Sequence, residues 1–449
     1  MPEPLSVESD GLPSPRRQFA MIGIMTAIAM AVIDGAVVNV ALPTIARTLG
    51  VAPDKAIWIV TAYQIALVIS LFTFASLGEI YGCRRVFVAG LLLSVIASLA
   101  CVSANSLPAL LAARTAQGFA SAAIVSVSTA LMRFTRPRSV IGRTVGHVAL
   151  LVAVSTAAAP PLGSAIIAAT DWRWIFLPNV MLAALSLCFV RALPDLPRKQ
   201  RRFNWLSAVL SALVLGLMIT GLGNLAQSPV LGLSAIGIAL VMGIVLMRRE
   251  LREADPLVPV DLVRIRAFTV AIGASACIFA AQSCAFVGLP FFLQHDLALG
   301  EVEMGFYLTV WPIAVACTAP LAGRFADRLP ASLLCTAGAV ALTAGLALLA
   351  ALPAGSPGPL LVAATALAGI GFGSFQTPNN RAILLSAPLH RSGAAGGMQA
   401  TARQFGQAIG AALVSLAFSA SHNESRLALL IGAVLAAMSA VISFLRTQR

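Results

Sequence analysis

Long apolar runs, broken by short polar and Arg-rich stretches, set the rhythm of the chain from residue 19 to residue 445. A helix needs about 20 apolar residues to cross roughly 30 Å of hydrocarbon. Laid along the sequence, that ruler predicts fourteen transmembrane helices: 19–43, 56–77, 86–104, 108–132, 144–169, 174–193, 205–227, 230–247, 268–294, 304–323, 331–352, 360–386, 393–419 and 427–445. Lys and Arg alternate with them. Four of the 30 basic residues (Arg47, Lys55, Arg173, Arg426) fall in one set of loops, and two (Arg114, Arg403) fall deep inside runs. The other set holds the rest, including Arg84, Arg85, Arg133, Arg136, Arg198, Arg324 and Arg328. Short basic loops stay cytosolic, so both ends are expected inside. The opening MPEPLSVESDGLPSPRR has no signal-peptide core and is expected to stay in the cytosol.

The runs divide into a tail (1–18), a six-helix bundle (19–193), a linker with two additional helices (194–265), a second six-helix bundle (266–445) and a tail (446–449). No segment outside the runs is long enough to be a domain. The two bundles echo each other. ASLGEIYGCRR (75–85) and GRFADR (323–328) occupy corresponding turns, and each offers a small residue, an acid four positions on, then Arg. Internal repeats of this kind characterise secondary transporters. The predicted class is therefore an all-α membrane protein built as two pseudo-symmetric bundles.

Composition agrees. The chain is 59% hydrophobic and 10% charged, with a mean hydropathy of +0.91, whereas a soluble domain carries about 25% charged residues. The net charge of +13 sits in loops and forms no continuous patch, which argues against nucleic acid. The basic residues are Arg almost throughout (only Lys55 and Lys199 are lysines), and with an Ala-rich chain this suggests a GC-rich bacterial genome. The seven Cys lack metal or redox spacing. The four His lie far apart without HExxH, so neither a metal nor a catalytic residue is expected. No Walker motif occurs, and no cofactor is expected.

Several motifs, in order along the chain, carry a resemblance. They are IDGAVVNVALP (33–43), the two turns above, RTAQG (114–118), APPLGS (159–164), DWRWIF (171–176), FQTPNN (375–380) and RQFGQAIG (403–410). Together they resemble the major facilitator superfamily, specifically its fourteen-helix branch of drug/proton antiporters. Departures are visible: Ala75, Glu79 and Ile80 stand where the loop motif has Gly, Asp and Arg, and Ala159 where the fifth-helix motif has Gly. The resemblance implies alternating access by two rocking bundles. It also implies that Glu79, Arg84, Arg85, Asp327 and Arg328 form charge clusters holding the outward-facing state. Positive-inside orientation alone would also account for Arg84 and Arg85.

Asp34 is the one acid inside a predicted span, where a charge costs roughly 2.5 kcal/mol or more. At 1.5 Å per residue it lies about 13 Å from the outer end of its helix and Arg114 about 9 Å from the outer end of its own. The first and fourth helices both line the central cavity in the resembled fold, which makes Arg114 the expected partner. Burial opposes a charged carboxylate and a nearby Arg favours it, so small movements would load or release a proton. A permanent structural salt bridge and direct capture of a cationic substrate are the other two roles open to Asp34. Arg403, about 16 Å from the inner end of its helix, has no visible acidic partner; packing and cavity-lining roles are both open. Pro160, Pro161 and Gly163 allow close, smooth helix contact for conformational change. Tyr63, Gln64, Gln117, Gln282, Trp311, Gln376 and Asn379 are the candidate cavity residues. Asn39, about 140° round the helix from Asp34, is expected against a neighbouring helix.

The expected function is proton-coupled export of small amphipathic, often cationic, drugs or toxic compounds across a bacterial inner membrane, by a monomer. The alternative is movement of one endogenous metabolite, outward or inward, on the same fold.

Overall fold

The computed structural model describes the chain apart from residues 1–10, 137–140, 197, 199–202, 226, 254–255, 327, 354–355, 389–391, 421–424 and 447–449. The described residues are helical, with no strand among them. The first six helices are α1 (Arg16–Leu49), α2 (Pro53–Tyr81), α3 (Cys83–Val102), α4 (Leu107–Thr135), α5 (Ile141–Ala169) and α6 (Leu177–Cys188). Then come α7 (Trp205–Gly223), α8 (Pro229–Glu250) and the single turn α9 (Val260–Val263). The last six are α10 (Arg266–Phe291), α11 (Glu301–Phe325), α12 (Ala331–Ala351), α13 (Gly358–Ser386), α14 (Ser392–Ala420) and α15 (Ser425–Leu445).

Local chemistry sets the ends. α1 stops at Gly50, whose φ of 63° is the left-handed geometry that glycine tolerates and whose N–H caps the carbonyls of Ala46 and Arg47. α2, α4 and α8 open with Pro in the first turn, where its missing N–H costs nothing. α1 begins at Arg16, so the boundary expected at residue 19 is three residues late; Arg16 donates to the carbonyls of Ala192 and Leu193, which ties that turn to the bundle.

Among the described residues, twelve helices are long and apolar enough to cross a membrane. The fourteen expected runs therefore separate into these twelve and two others. The sixth run is a shorter apolar stretch, Trp172–Cys188, that starts as a 3-10 turn capped by Asp171. The thirteenth is α14, 29 residues long but diluted by Gly, Gln, Thr and Arg403.

Pairing within the first six helices is repeated in the last six. α4 packs on α2 and α3, and α13 on α11 and α12. α1 packs on α5 and α6, and α10 on α14 and α15; α3 meets α6 as α12 meets α15. Between the groups, α5 meets α11, α14 meets α2, and α1 meets α10. α7 lies across the α2–α14 contact and touches both, while α8 packs chiefly on α7 and leaves most of its apolar surface exposed.

Small residues permit this closeness. A Cβ at Gly118 of α4 would collide with the Tyr63 carbonyl oxygen of α2 and sit 2.7 Å from Ala66 Cβ. Backbone and a methyl stem cannot retract, so Gly118→Ala is expected to destabilise the bundle by about 1–3 kcal/mol. Thermal unfolding of the detergent-solubilised protein would report it, and an unchanged midpoint would contradict the packing described.

Candidate functional site

Inside the first six helices a polar cluster interrupts the hydrocarbon. Asp34 of α1 and Arg114 of α4 are 3% and 1% exposed, so neither charge meets open solvent. Arg114 Nη1 donates to Asp34 Oδ1 at 3.0 Å and to Gln117 Oε1 at 2.8 Å. Arg114 Nε reaches the Ile59 carbonyl of α2 at 3.5 Å, and its Cζ lies 4.3 Å from the centre of the Tyr63 ring. Asn179 of α6 donates to the same Asp34 oxygen at 2.5 Å. Gln117 donates to Ser98 and accepts from Cys101, both of α3; Tyr63 donates to Ser121 of α4.

The cluster thus draws on all of α1, α2, α3, α4 and α6. Its ion pair is supported by hydrogen bonds and an aromatic face, which is what makes two charges tolerable in a low-dielectric interior. Both hydrogen bonds to Asp34 end on Oδ1, so Oδ2 has no donor among the described residues. A proton can therefore be added at Oδ2 without first displacing a donor there. Adding it removes the Coulomb attraction to Arg114 and leaves a neutral acid beside a cation.

A second site is the seam between the two groups. Near the ends that carry few Arg, Thr44 of α1 donates to Glu301 of α11 at 2.9 Å, and Arg47 reaches the same oxygen at 3.5 Å. On the other flank Ser415 and Ser419 of α14 donate to the backbone carbonyl and the carboxylate of Asp54 at the start of α2. α5 and α11 approach closely at Ser164 and Gly305. Below this closure lies a narrow apolar cleft lined by Ala36, Asn39, Val40, Thr156, Pro160, Phe286, Leu308 and Pro312. Asn39 donates to Gly35 O while its own carbonyl oxygen is buried without a partner. The neighbour that Asn39 faces is thus the other group of helices.

The predicted site residues separate accordingly. Asp34 and Arg114 are in contact. Tyr63 and Gln117, expected on the cavity wall, are buried inside the Asp34 cluster because their polar atoms find partners on α4 and α3. Trp311 is buried between Phe286 and Phe372, and Asn379 is buried and donates to Ala271 O; both tie helices within the second group. Gln282 accepts from Gln407 of α14 at 3.5 Å, and the Gln64 carbonyl oxygen is buried without a partner. Gln376 is half-buried on α13.

Of the conformational set, Arg84 pairs with Asp195 at 3.4 Å, and Arg85 and Arg328 are exposed. Asp327 lies outside the described residues. Pro160 and Pro161 sit within a continuous α5, where Pro160 lines the cleft and Pro161 is exposed. A Cβ at Gly163 would lie 2.8 Å from Val37 of α1. Arg403 is half-buried on α14. Asn179, Glu301 and Asp54 were not anticipated. Asn179 carries no charge to stand out in an apolar run. Asp54 and Glu301 did leave a signal, since both acids fall in the first turns of α2 and α11, which hold equivalent places in the two groups.

The Major Facilitator Superfamily profile matches residues 24–411 and, in a second overlapping match, 271–449. The chain is 45% identical over 448 residues to the uncharacterized transporter YebQ of Escherichia coli (strain K12), covering 98% of each chain. It is 27% identical over 411 residues to the riboflavin transporter RibZ of Clostridioides difficile (strain 630), covering 90% of this chain and 89% of that one. To the multidrug resistance protein Stp of Mycobacterium tuberculosis (strain CDC 1551 / Oshkosh) it is 28% identical over 404 residues, covering 87% and 74%. With this pattern of helix pairing and these matches, the chain belongs to the major facilitator superfamily, a multi-pass membrane transporter of small molecules.

Proposed function

We propose that this transporter exports small amphipathic compounds from the bacterial cytosol in exchange for protons, as a monomer in the inner membrane. The observation that carries the reading is the Asp34–Arg114 pair, buried at 3.0 Å in the interior of a helix bundle that must move as a unit. With α6 and α14 counted among the crossing helices the chain has fourteen, arranged as bundles at 19–193 and 266–445 around an inserted α7–α8 pair. The Arg-rich ends and both termini then lie in the cytosol, and the seam closed at Thr44, Glu301, Asp54 and Ser419 is the outer gate. The structure is read as the inward-facing state.

In this scheme a proton arriving from outside neutralises Asp34 and frees Arg114 to shift toward Gln117 and the Tyr63 ring. α1 and α4 then change their relative fit, which biases the seam that α1 shares with α11. Release of the proton to the cytosol restores the pair. The relation to a multidrug resistance protein supports the export of several compounds. The relation to a riboflavin transporter supports the second reading, movement of one metabolite.

The test is transport in proteoliposomes of the full chain, with an imposed pH difference and a panel of amphipathic fluorescent compounds. Gradient-dependent movement of several compounds, accompanied by counter-movement of protons read with an internal pH dye, is the expected result. Gradient dependence confined to one compound would select the metabolite reading, and transport indifferent to the gradient would defeat proton coupling.

A further inference from the structure

Arg403 differs from Arg114, the other Arg deep inside an expected span, and from several Arg at helix ends. Arg16, Arg173 and Arg426 each donate to a backbone carbonyl, of Ala192, Ala104 and Leu352 respectively, and Arg114 has both a carboxylate and a carbonyl. Among the described residues Arg403 has no ion pair and no hydrogen bond. Its side chain is half-buried near the middle of a 29-residue helix, and no Asp or Glu occurs in the sequence between Asp327 and Glu424. A charge at that depth is tolerated where it faces a water-filled passage.

The helix face on which it lies leads to the same place. α14 turns Gly406 and Gly410 toward α10, and Ala408 and Ala412 toward Val68 of α2 and Ile219 of α7. A third stripe runs Arg403, Gln407, Ala411, Val414, Phe418 at helical spacing. At its outer end Ala411, Val414 and Phe418 are buried in a cluster that also takes in residues of α1, α2 and α10, so this end of the stripe lies where the two groups meet. Arg403 is its inner end, and Gln407, bonded to Gln282 of α10, lies one turn above. Asp34, the one acid inside the apolar runs expected from the sequence, is already held by Arg114 and Asn179.

We propose that Arg403 is the substrate's charge anchor, and that the transported compound is an amphipathic organic anion, such as a carboxylate or sulfonate on an apolar body. This deepens the proposed function and rests on it for direction and energy source. An unneutralised guanidinium in the passage repels the cations expected from the sequence, and its planar fork accepts a carboxylate through two donors. Gln407 and Gln282 supply neutral hydrogen bonds beside it, the few polar handles such a site uses.

Three matched probes decide the matter: 1-naphthaleneacetate, the neutral 1-naphthaleneacetamide and 1-naphthylmethylammonium. Binding of each to the full-length protein in nanodiscs is read by equilibrium dialysis, with empty nanodiscs subtracted for partitioning into lipid. Preference for the carboxylate, weakened about tenfold in Arg403→Gln and less in Arg403→Lys, which keeps the charge but loses the two-donor fork, is the expected result, a loss of the size given by one charge-assisted contact. Equal binding of the three probes, preference for the ammonium, or carboxylate binding unchanged in Arg403→Gln would overturn the assignment. Circular dichroism and elution volume of both variants establish that they are folded. Since binding is read without a gradient, carboxylate selectivity alongside gradient-indifferent transport would defeat the coupling reading and leave this one standing.

Discussion

Asp34→Asn is expected to reduce gradient-driven transport at least about a hundredfold while leaving a folded protein that still exchanges substrate across an equilibrated membrane. Asparagine keeps the shape of the side chain and an oxygen for Arg114 Nη1 and Asn179, which now meet Oδ1 at 3.0 and 2.5 Å. It cannot alternate between charged and neutral forms, so the proton no longer has a seat. Removing one partner of a buried pair costs about 3–5 kcal/mol when the other charge is stranded. Here Arg114 keeps Gln117 Oε1 at 2.8 Å, the Ile59 carbonyl and the Tyr63 ring, so the loss is expected at the low end of that range. Two measurements in proteoliposomes separate the possibilities: initial uptake with a pH difference imposed, and counterflow without one. Loss of both would make the pair a structural bridge, and retention of both would remove Asp34 from coupling.

Much of this arrangement was legible before any coordinates. The apolar ruler located helices because hydrocarbon thickness fixes a length, and length survives in sequence whatever the packing. Asp34 and Arg114 stood out for the same reason: a charge in oil is costly, so each demands a partner, and simple helical rise places them at similar depth. Depth says nothing about direction. Tyr63 and Gln117 were expected on a cavity wall and instead complete the inner cluster, because an uncharged polar group can be satisfied as well by a neighbouring helix as by water. Asn179 is silent in sequence for that reason too. The seam was hidden still more deeply. Thr44, Glu301, Asp54 and Ser419 come from four helices, and only three-dimensional closure brings them together. The ruler assigned α14 as a span, yet its hydropathy is diluted by polar residues such as Arg403 and Gln407.

Gly305→Ala is expected to open the outer gate, and Ser164→Gly is expected to close it again. A Cβ at Gly305 of α11 would collide with Ser164 Oγ of α5 and stand 2.7 Å from Ser164 Cβ and 3.4 Å from the Pro160 carbonyl. The hydroxyl can swing aside, but the Cβ is fixed to its backbone and cannot. Relief therefore comes from separating α5 and α11, which belong to different bundles, and a state with this end open is free of the clash. Overpacking of this kind costs about 1–3 kcal/mol, which shifts a two-state equilibrium on the order of tenfold or more. Asn39, buried in the cleft beneath the closure, reports the change. Asn39→Cys should react with a membrane-impermeant maleimide from outside about ten times faster when combined with Gly305→Ala, as read by mass spectrometry of the peptide so that native cysteines do not interfere. Ser164→Gly removes both atoms nearer than 3.0 Å, so the triple variant should return to the slow rate. An unchanged rate in the first variant, or no recovery in the second, would mean that α5 and α11 do not part when the gate opens. The same bundles would then have to rock about the α2–α14 contact, which α7 already spans on its outer flank.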